Sequence, residues 1–209
     1  VNTPTGCYPY FRAVDVVSWN GDMDQIWMDR LVAVTGWQQE RQEIDWGPVE
    51  EGFGISPPAD YKDICALFAP GHFSAYLEVL RPVGETSSRS LLDSWKYDLQ
   101  LCVQYPRTPR IYEPYGLYGR SENSGLIHWG SDQTEGDYYW LADHSVDPAG
   151  WPVIARKDPA EEWHRFDVPT SEFIYRVLAD PEFKPFTVAG QMGQPFLLPY
   201  GQPLPWPVE

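Results

Sequence analysis

The stretch His128–Asp167 reads HWGSDQTEGDYYWLADHSVDPAGWPVIARKDPAEEWHRFD, and its alternation of aromatic-rich runs with turn-forming residues decides the fold class. The runs Leu126–Trp129, Asp137–Ala142, Trp151–Arg156 and Glu161–Phe166 are separated by Gly130–Gly136, Asp143–Gly150 and Lys157–Pro159. Aromatic and β-branched side chains favour extended backbone, whereas Gly, Pro, Asp and Ser favour turns, so this rhythm predicts an antiparallel meander. Such a sheet displays loops, and function has to be read from what the loops carry.

Upstream the pattern changes to helical spacing. Ile26, Trp27, Leu31 and Val34 predict a helix from Asp22 to a stop at Gly36, with Asp22 and Asp24 suited to its N-terminal end. Asp45 opens a short helix with Pro48 in its first turn and Val49 and Phe53 inward, closed by Gly52 and Gly54. Pro57 and Pro58 precede a second helix, Ala59–Phe68, whose Tyr61, Ile64, Cys65 and Phe68 share one face. Tyr76–Leu80 reads as a strand. Ser87–Tyr105 reads as a helix capped by Ser87 or Ser88, with Leu91, Leu92, Trp95, Leu99 and Cys102 on one side. The link Pro106–Gly119 is expected to be a surface loop packed by its aromatic residues, with partner docking as its alternative reading.

Beyond the meander, Thr170–Ala179 is a helix with Phe173, Ile174, Val177 and Leu178 toward the sheet. Seven prolines in the last twenty-nine residues exclude a helix or central strand there. That tail either wraps the domain through Phe186, Phe196, Leu197 and Trp206 or hangs free. The expected organisation is an α+β domain at residues 22–180, a mostly antiparallel sheet flanked by helices, with an arm at 1–21 and a Pro-rich tail at 181–209.

Thirty Asp and Glu against fifteen Lys and Arg give a formal charge of −15. Ten Trp and thirteen Tyr are too many for a disordered acidic chain, so that charge lies on a folded surface. It repels phosphate backbones and anionic lipid, excluding nucleic acid and membrane as partners, and it accelerates encounter with basic proteins. Its ordinary reading is that it keeps the protein soluble. Cys7, Cys65 and Cys102 are too scattered for a zinc site or a disulfide framework. No run approaches the length of a membrane span, and no basic region followed by an apolar one marks the N-terminus, so a cytoplasmic location is expected.

Catalytic signals are weak. His72 follows a Pro-Gly turn, and His128 and His164 sit in predicted strands beside Trp129 and Trp163, where a hydrogen-bonded structural role is the ordinary one. His144, in Asp143-His-Ser-Val-Asp147, is the one candidate centre for a small hydrolase or a metal cluster. Its spacing matches no established motif, and Asp and Ser before Pro148 commonly cap turns. No cofactor is expected. The residues expected to receive basic side chains of a protein partner are Asp132, Glu135, Asp137, Asp143 and Asp147, in two acidic turns. Trp129, Trp140, Trp151 and Trp163 are read as core rather than as a ligand-stacking platform.

Two blocks, VTGW…DWGPVEEGFGISPPADYKDICALFAPGHF and HWGSDQTEGDYYWLAD…WPVIAR…WHRFD…SEFIYRVL, together resemble the SMI1/KNR4 family, also called the SUKH superfamily, in its long actinobacterial form. The resemblance spans roughly residues 31–180. Its positions include Glu50, Pro58 to Tyr61, Trp129-Gly130, Gly136-Asp137, Trp140, Trp151 to Val153 and Phe173, while Ala69-Pro-Gly-His-Phe73 replaces the Asn-Gly-Gly turn of many relatives. It implies an α+β domain without catalysis, acting as an immunity protein that binds and neutralises a toxin, of which a basic nuclease is the kind its charge suits. A regulatory or structural adaptor of the same fold is the alternative.

Overall fold

The computed structural model describes residues 19–82, 90–119, 122–191 and 193–205, with side chains from Asp24 onward. Among these residues seven strands form one sheet: β1 (Gly71–Phe73), β2 (Leu77–Val79), β3 (Ser124–Asp132), β4 (Asp137–Asp143), β5 (Val153–Arg156), β6 (His164–Phe166) and β7 (Leu197–Pro199). Their order is β6-β5-β4-β3-β2-β1-β7, with every neighbouring pair antiparallel. The four runs of the predicted meander are β3 to β6. Among the described residues five helices complete the α+β fold: α1 (Trp19–Thr35), α2 (Gly47–Phe53), α3 (Ala59–Leu67), α4 (Leu91–Gln104) and α5 (Thr170–Ala179).

Alternation along the strands divides the sheet into two faces. Tyr138, Trp140 and Ala142 of β4 and Val153 and Ala155 of β5 point into the main core, beneath α1, α2, α3 and α5. Tyr139 and Ile154 point the other way, into a small cluster with Tyr112 and Leu126. Trp129, Trp140 and Trp151 are buried in the main core, with Trp129 and Trp140 stacked at 6.0 Å. Trp163 departs from that set and packs on the opposite face against Tyr139.

The helical patterns were legible with local corrections. The inward face of α1 is formed by Met28 and Leu31, while Ile26, expected inside, is 45% exposed. Helix α4 starts after Ser90, whose hydroxyl accepts from the Asp93 amide at 3.0 Å; Ser87 and Ser88, expected as caps, lie outside the described residues. The link after α4 carries a 3₁₀ turn, Thr108–Tyr112, and buries Tyr112 and Tyr118.

Two strands, β1 and β7, were not anticipated. His72, expected in a turn, lies in β1. The tail wraps: Phe183, Phe186, Val188 and Leu197 join the main core, and β7 closes the β1 edge of the sheet. Residues 181–205 are therefore continuous with the domain that precedes them. Of the expected wrapping contacts, Trp206 lies outside the described residues, as does nearly all of the arm assigned to residues 1–21.

One buried carboxylate joins two helices. Asp60, at the start of α3, accepts from the Tyr61 amide at 2.8 Å and from the Ser171 amide in the first turn of α5 at 2.7 Å. Negative charge at a helix N-terminus is favourable, while burial opposes ionisation and raises the carboxyl pKa. Asp60→Ala would leave two buried N–H groups unsatisfied, each worth about 1–3 kcal/mol. Thermal denaturation should show a melting point lower by roughly 5–15 °C. Asp60→Asn, which keeps an acceptor, should fall by less than half as much.

Candidate functional site

The first acidic turn connects β3 to β4 and is organised around Asp132. Its Oδ1 accepts from the Thr134 amide and hydroxyl, both at 2.7 Å, and from the Gly136 amide at 3.1 Å. Its Oδ2 accepts from the Tyr76 hydroxyl at 2.8 Å and from the Tyr138 hydroxyl, with Lys157 Nζ at 3.4 Å. Burial works against ionisation, but the hydrogen bonds from Tyr138, Thr134 and Tyr76 outweigh it and hold the pKa down at about 2. The side chain has no solvent-accessible surface. Asp132 is thus a structural knot, and its expected role of receiving a partner's basic side chain does not fit this geometry.

Asp137 is engaged as well. Its Oδ2 accepts from Arg156 at 3.2 Å, and His128 Nε2 stands 3.7 Å from Oδ1. Of the carboxylates expected in this turn, Glu135 alone points outward, exposed at a left-handed backbone position.

The second acidic turn, between β4 and β5, lies at the other end of β4. Seven extended residues separate the two turns by about 20 Å, so they do not make one continuous docking patch. Asp143 Oδ1 accepts from the Ser145 hydroxyl and amide, which lower its pKa. Asp147 caps the 3₁₀ turn Pro148–Gly150 through the Ala149 amide at 2.9 Å. His144 Nε2 meets the hydroxyl of Tyr118 at 2.7 Å, and that hydroxyl also lies 3.2 Å from the Phe53 carbonyl. Among the described residues no hydrogen bond joins the His144 ring to Asp143 or Ser145. No group of three or more His, Cys, Asp or Glu is placed to hold a metal ion there, again among the described residues.

What the second turn does build is an acidic cleft that the linear sequence did not reveal. Asp24 of α1, Trp151, Asp167 after β6 and Glu172 of α5 line a cavity of about 280 Å³ beside Gly150. Asp167 is paired with Arg165 and Glu172 with Arg176, whereas Asp24 has no ion pair among the described residues. Burial, followed by the charges of Asp60, Asp63 and Asp147, pushes the Asp24 carboxyl up to about 6. Because the folded-state pKa is raised, stability should fall as pH rises from about 4, the ordinary aspartate value, through 6. Asp24→Asn should make that slope shallower, leaving the part due to Asp60, and should melt above the parent at pH 7.5, as differential scanning fluorimetry across pH would show.

A second missed feature is the extended segment 37–46. It lies on α3 through a bond from the Gln42 amide to the Ala66 carbonyl and one from Trp37 Nε1 to the Leu67 carbonyl. Between it and α3 runs a surface cleft of about 670 Å³, lined by Arg41, Trp46, Lys62 and Asp63. Those charges are satisfied internally, Arg41 by Asp63 and Lys62 by Glu50.

No described helix is long and apolar enough to cross a membrane. Compared with protein-family models, with curated proteins and with solved structures, the chain matches none.

Proposed function

We propose that this chain is a non-catalytic protein-binding domain of the SUKH type, acting in the cytoplasm as an immunity protein that holds a basic toxin. The carrying observation is the Asp24 cleft. A carboxylate is kept half-buried among Asp60, Asp63 and Asp147, where its neighbours oppose its charge, with no cation among the described residues to relieve it. Charge retained against local stability is characteristic of a site that awaits a partner. An arginine or lysine from a basic surface would remove the repulsion, and the field of a chain carrying −15 would draw it in.

In this reading Asp147, from the expected set, contributes to the docking field together with Asp24, and Glu135 marks a separate acidic point. The α+β architecture with its antiparallel meander is compatible with the family resemblance.

Co-expression with the toxin encoded beside its gene should restore growth and give a complex whose affinity falls with salt. The double variant Asp24→Asn, Asp147→Asn should weaken that complex about tenfold or more, chiefly through dissociation. Failure to bind any neighbouring toxin would sink the proposal.

A further inference from the structure

We propose that the opposite face of the sheet carries a second docking cleft, which takes an extended, proline-containing basic segment of a partner protein. It shares with the preceding proposal the idea of a basic partner, but it concerns different residues on the other side of β4 and β5.

Trp163 organises this face. Its ring meets Tyr139 edge-on at 5.5 Å and Tyr115 at 6.1 Å, and its Nε1 donates to the Glu113 carbonyl at 2.8 Å. These contacts hold the loop 113–115 against the chain entering β6. Between them opens a cleft of about 470 Å³ walled by Ile111, Pro114, Tyr115, Pro159 and Trp163. Ile111 is 43% exposed although it sits on this wall.

Arg156 lies beneath, 4.3 Å over the Trp163 ring, with its guanidinium bound to Asp137 and to the Ile111 carbonyl. Its charge is neutralised and buried. On the rim, Glu113, Glu161 and Glu162 are exposed and make no ion pair among the described residues, against the single rim arginine Arg110. The cleft therefore combines an apolar, aromatic floor with a net negative rim.

A proline-containing segment suits that combination. Polyproline II backbone makes no internal hydrogen bonds, is pre-extended, and packs its rings on Tyr and Trp faces, while flanking Lys or Arg answers a carboxylate rim. A helix would bring its own satisfied backbone and a broader face. A nucleic acid would meet the rim with like charge.

The test titrates the ¹⁵N-labelled full chain with a synthetic peptide in which arginines flank proline-leucine pairs, and with a counterpart carrying glutamate in place of arginine. The basic peptide should shift the Trp163 indole resonance and the Tyr115 amide, and the acidic one should not bind. Glu161→Lys with Glu162→Lys should raise Kd about tenfold, whereas Glu40→Lys with Glu51→Lys, equal in net charge, should change it less than twofold. Equal weakening by both pairs, shifts confined to the Asp24 cleft, tight binding of the acidic peptide, or no binding would each overturn the proposal. None of those results would overturn toxin binding through Asp24, which the Asp24 and Asp147 variant measures separately.

Discussion

Asp132→Ala is expected to lower stability by about 3–5 kcal/mol, because it removes one partner from a buried, charge-assisted cluster and leaves the others stranded. The Tyr76 and Tyr138 hydroxyls, the Thr134 and Gly136 amides and the Lys157 ammonium all converge on this carboxylate. Gly136 is part of the same knot, since a Cβ there would run into the Asp132 carboxylate. For a chain of this size the melting point should drop by roughly 6–20 °C. The pH response supplies the control. A carboxyl depressed to about 2 in the folded state contributes stability that is present above its unfolded value near 4 and is lost as pH falls through 2. Asp132→Asn should therefore flatten the acid limb of a stability profile between pH 4 and 2. An acid limb unchanged by that variant would show that the carboxylate is not ionised against its tyrosines.

Gly71→Ala is expected to displace β7. The added Cβ would fall inside van der Waals contact with the Leu198 carbonyl oxygen and 2.7 Å from Pro199 Cα, both backbone atoms that cannot rotate away. Two bonds register the seat of the strand: Ser74 N–H to the Phe196 carbonyl at 2.7 Å and Tyr200 N–H to the Pro70 carbonyl at 3.1 Å. Exchange of both amides should accelerate at least a hundredfold on loss of about 3 kcal/mol of local protection, read by hydrogen exchange. Displacement would uncover the edge of β1, and an open edge pairs with other chains. In the parent that edge is closed by a strand ending in Pro199, which offers no N–H for continuation. Sedimentation velocity should show concentration-dependent self-association in Gly71→Ala that is absent in the parent. Unchanged exchange and a monodisperse variant would mean that β7 is not seated as described.

The elements read best from sequence were those whose pattern is local. Helix α5 came out at Thr170–Ala179 because Phe173, Ile174, Val177 and Leu178 mark one face by themselves. Helix α2 was visible through Pro48 and the inward pair Val49 and Phe53. Strands β1 and β7 were not legible: each has only three residues, too few for a period to show, and β7 exists only through its pairing with β1 more than a hundred residues earlier in the chain.

The surroundings of the acidic turns were hidden for the same reason. Sequence shows Asp132 in a polar turn, yet Tyr76 and Lys157, which enclose it, come from distant segments. Conversely the Asp24 cleft assembles from α1, the β4–β5 turn and α5, and no window of sequence contains all three. Asp147 was singled out, but the neighbour that gives it meaning was read only as a helix-start residue.

The sealing of β1 by β7 also fixes when the molecule can be completed. Gly71 pairs with Pro199, so during synthesis β1 emerges long before its outer neighbour is made. At about 5–20 residues per second the interval is on the order of ten seconds, far longer than hairpins need to form. Through that time the nascent chain exposes a bare strand edge and the apolar seats of Phe186 and Leu197. Ribosome stalling or premature termination after α5 would thus release a nearly finished domain with an adhesive flank, a natural substrate for chaperones and proteases.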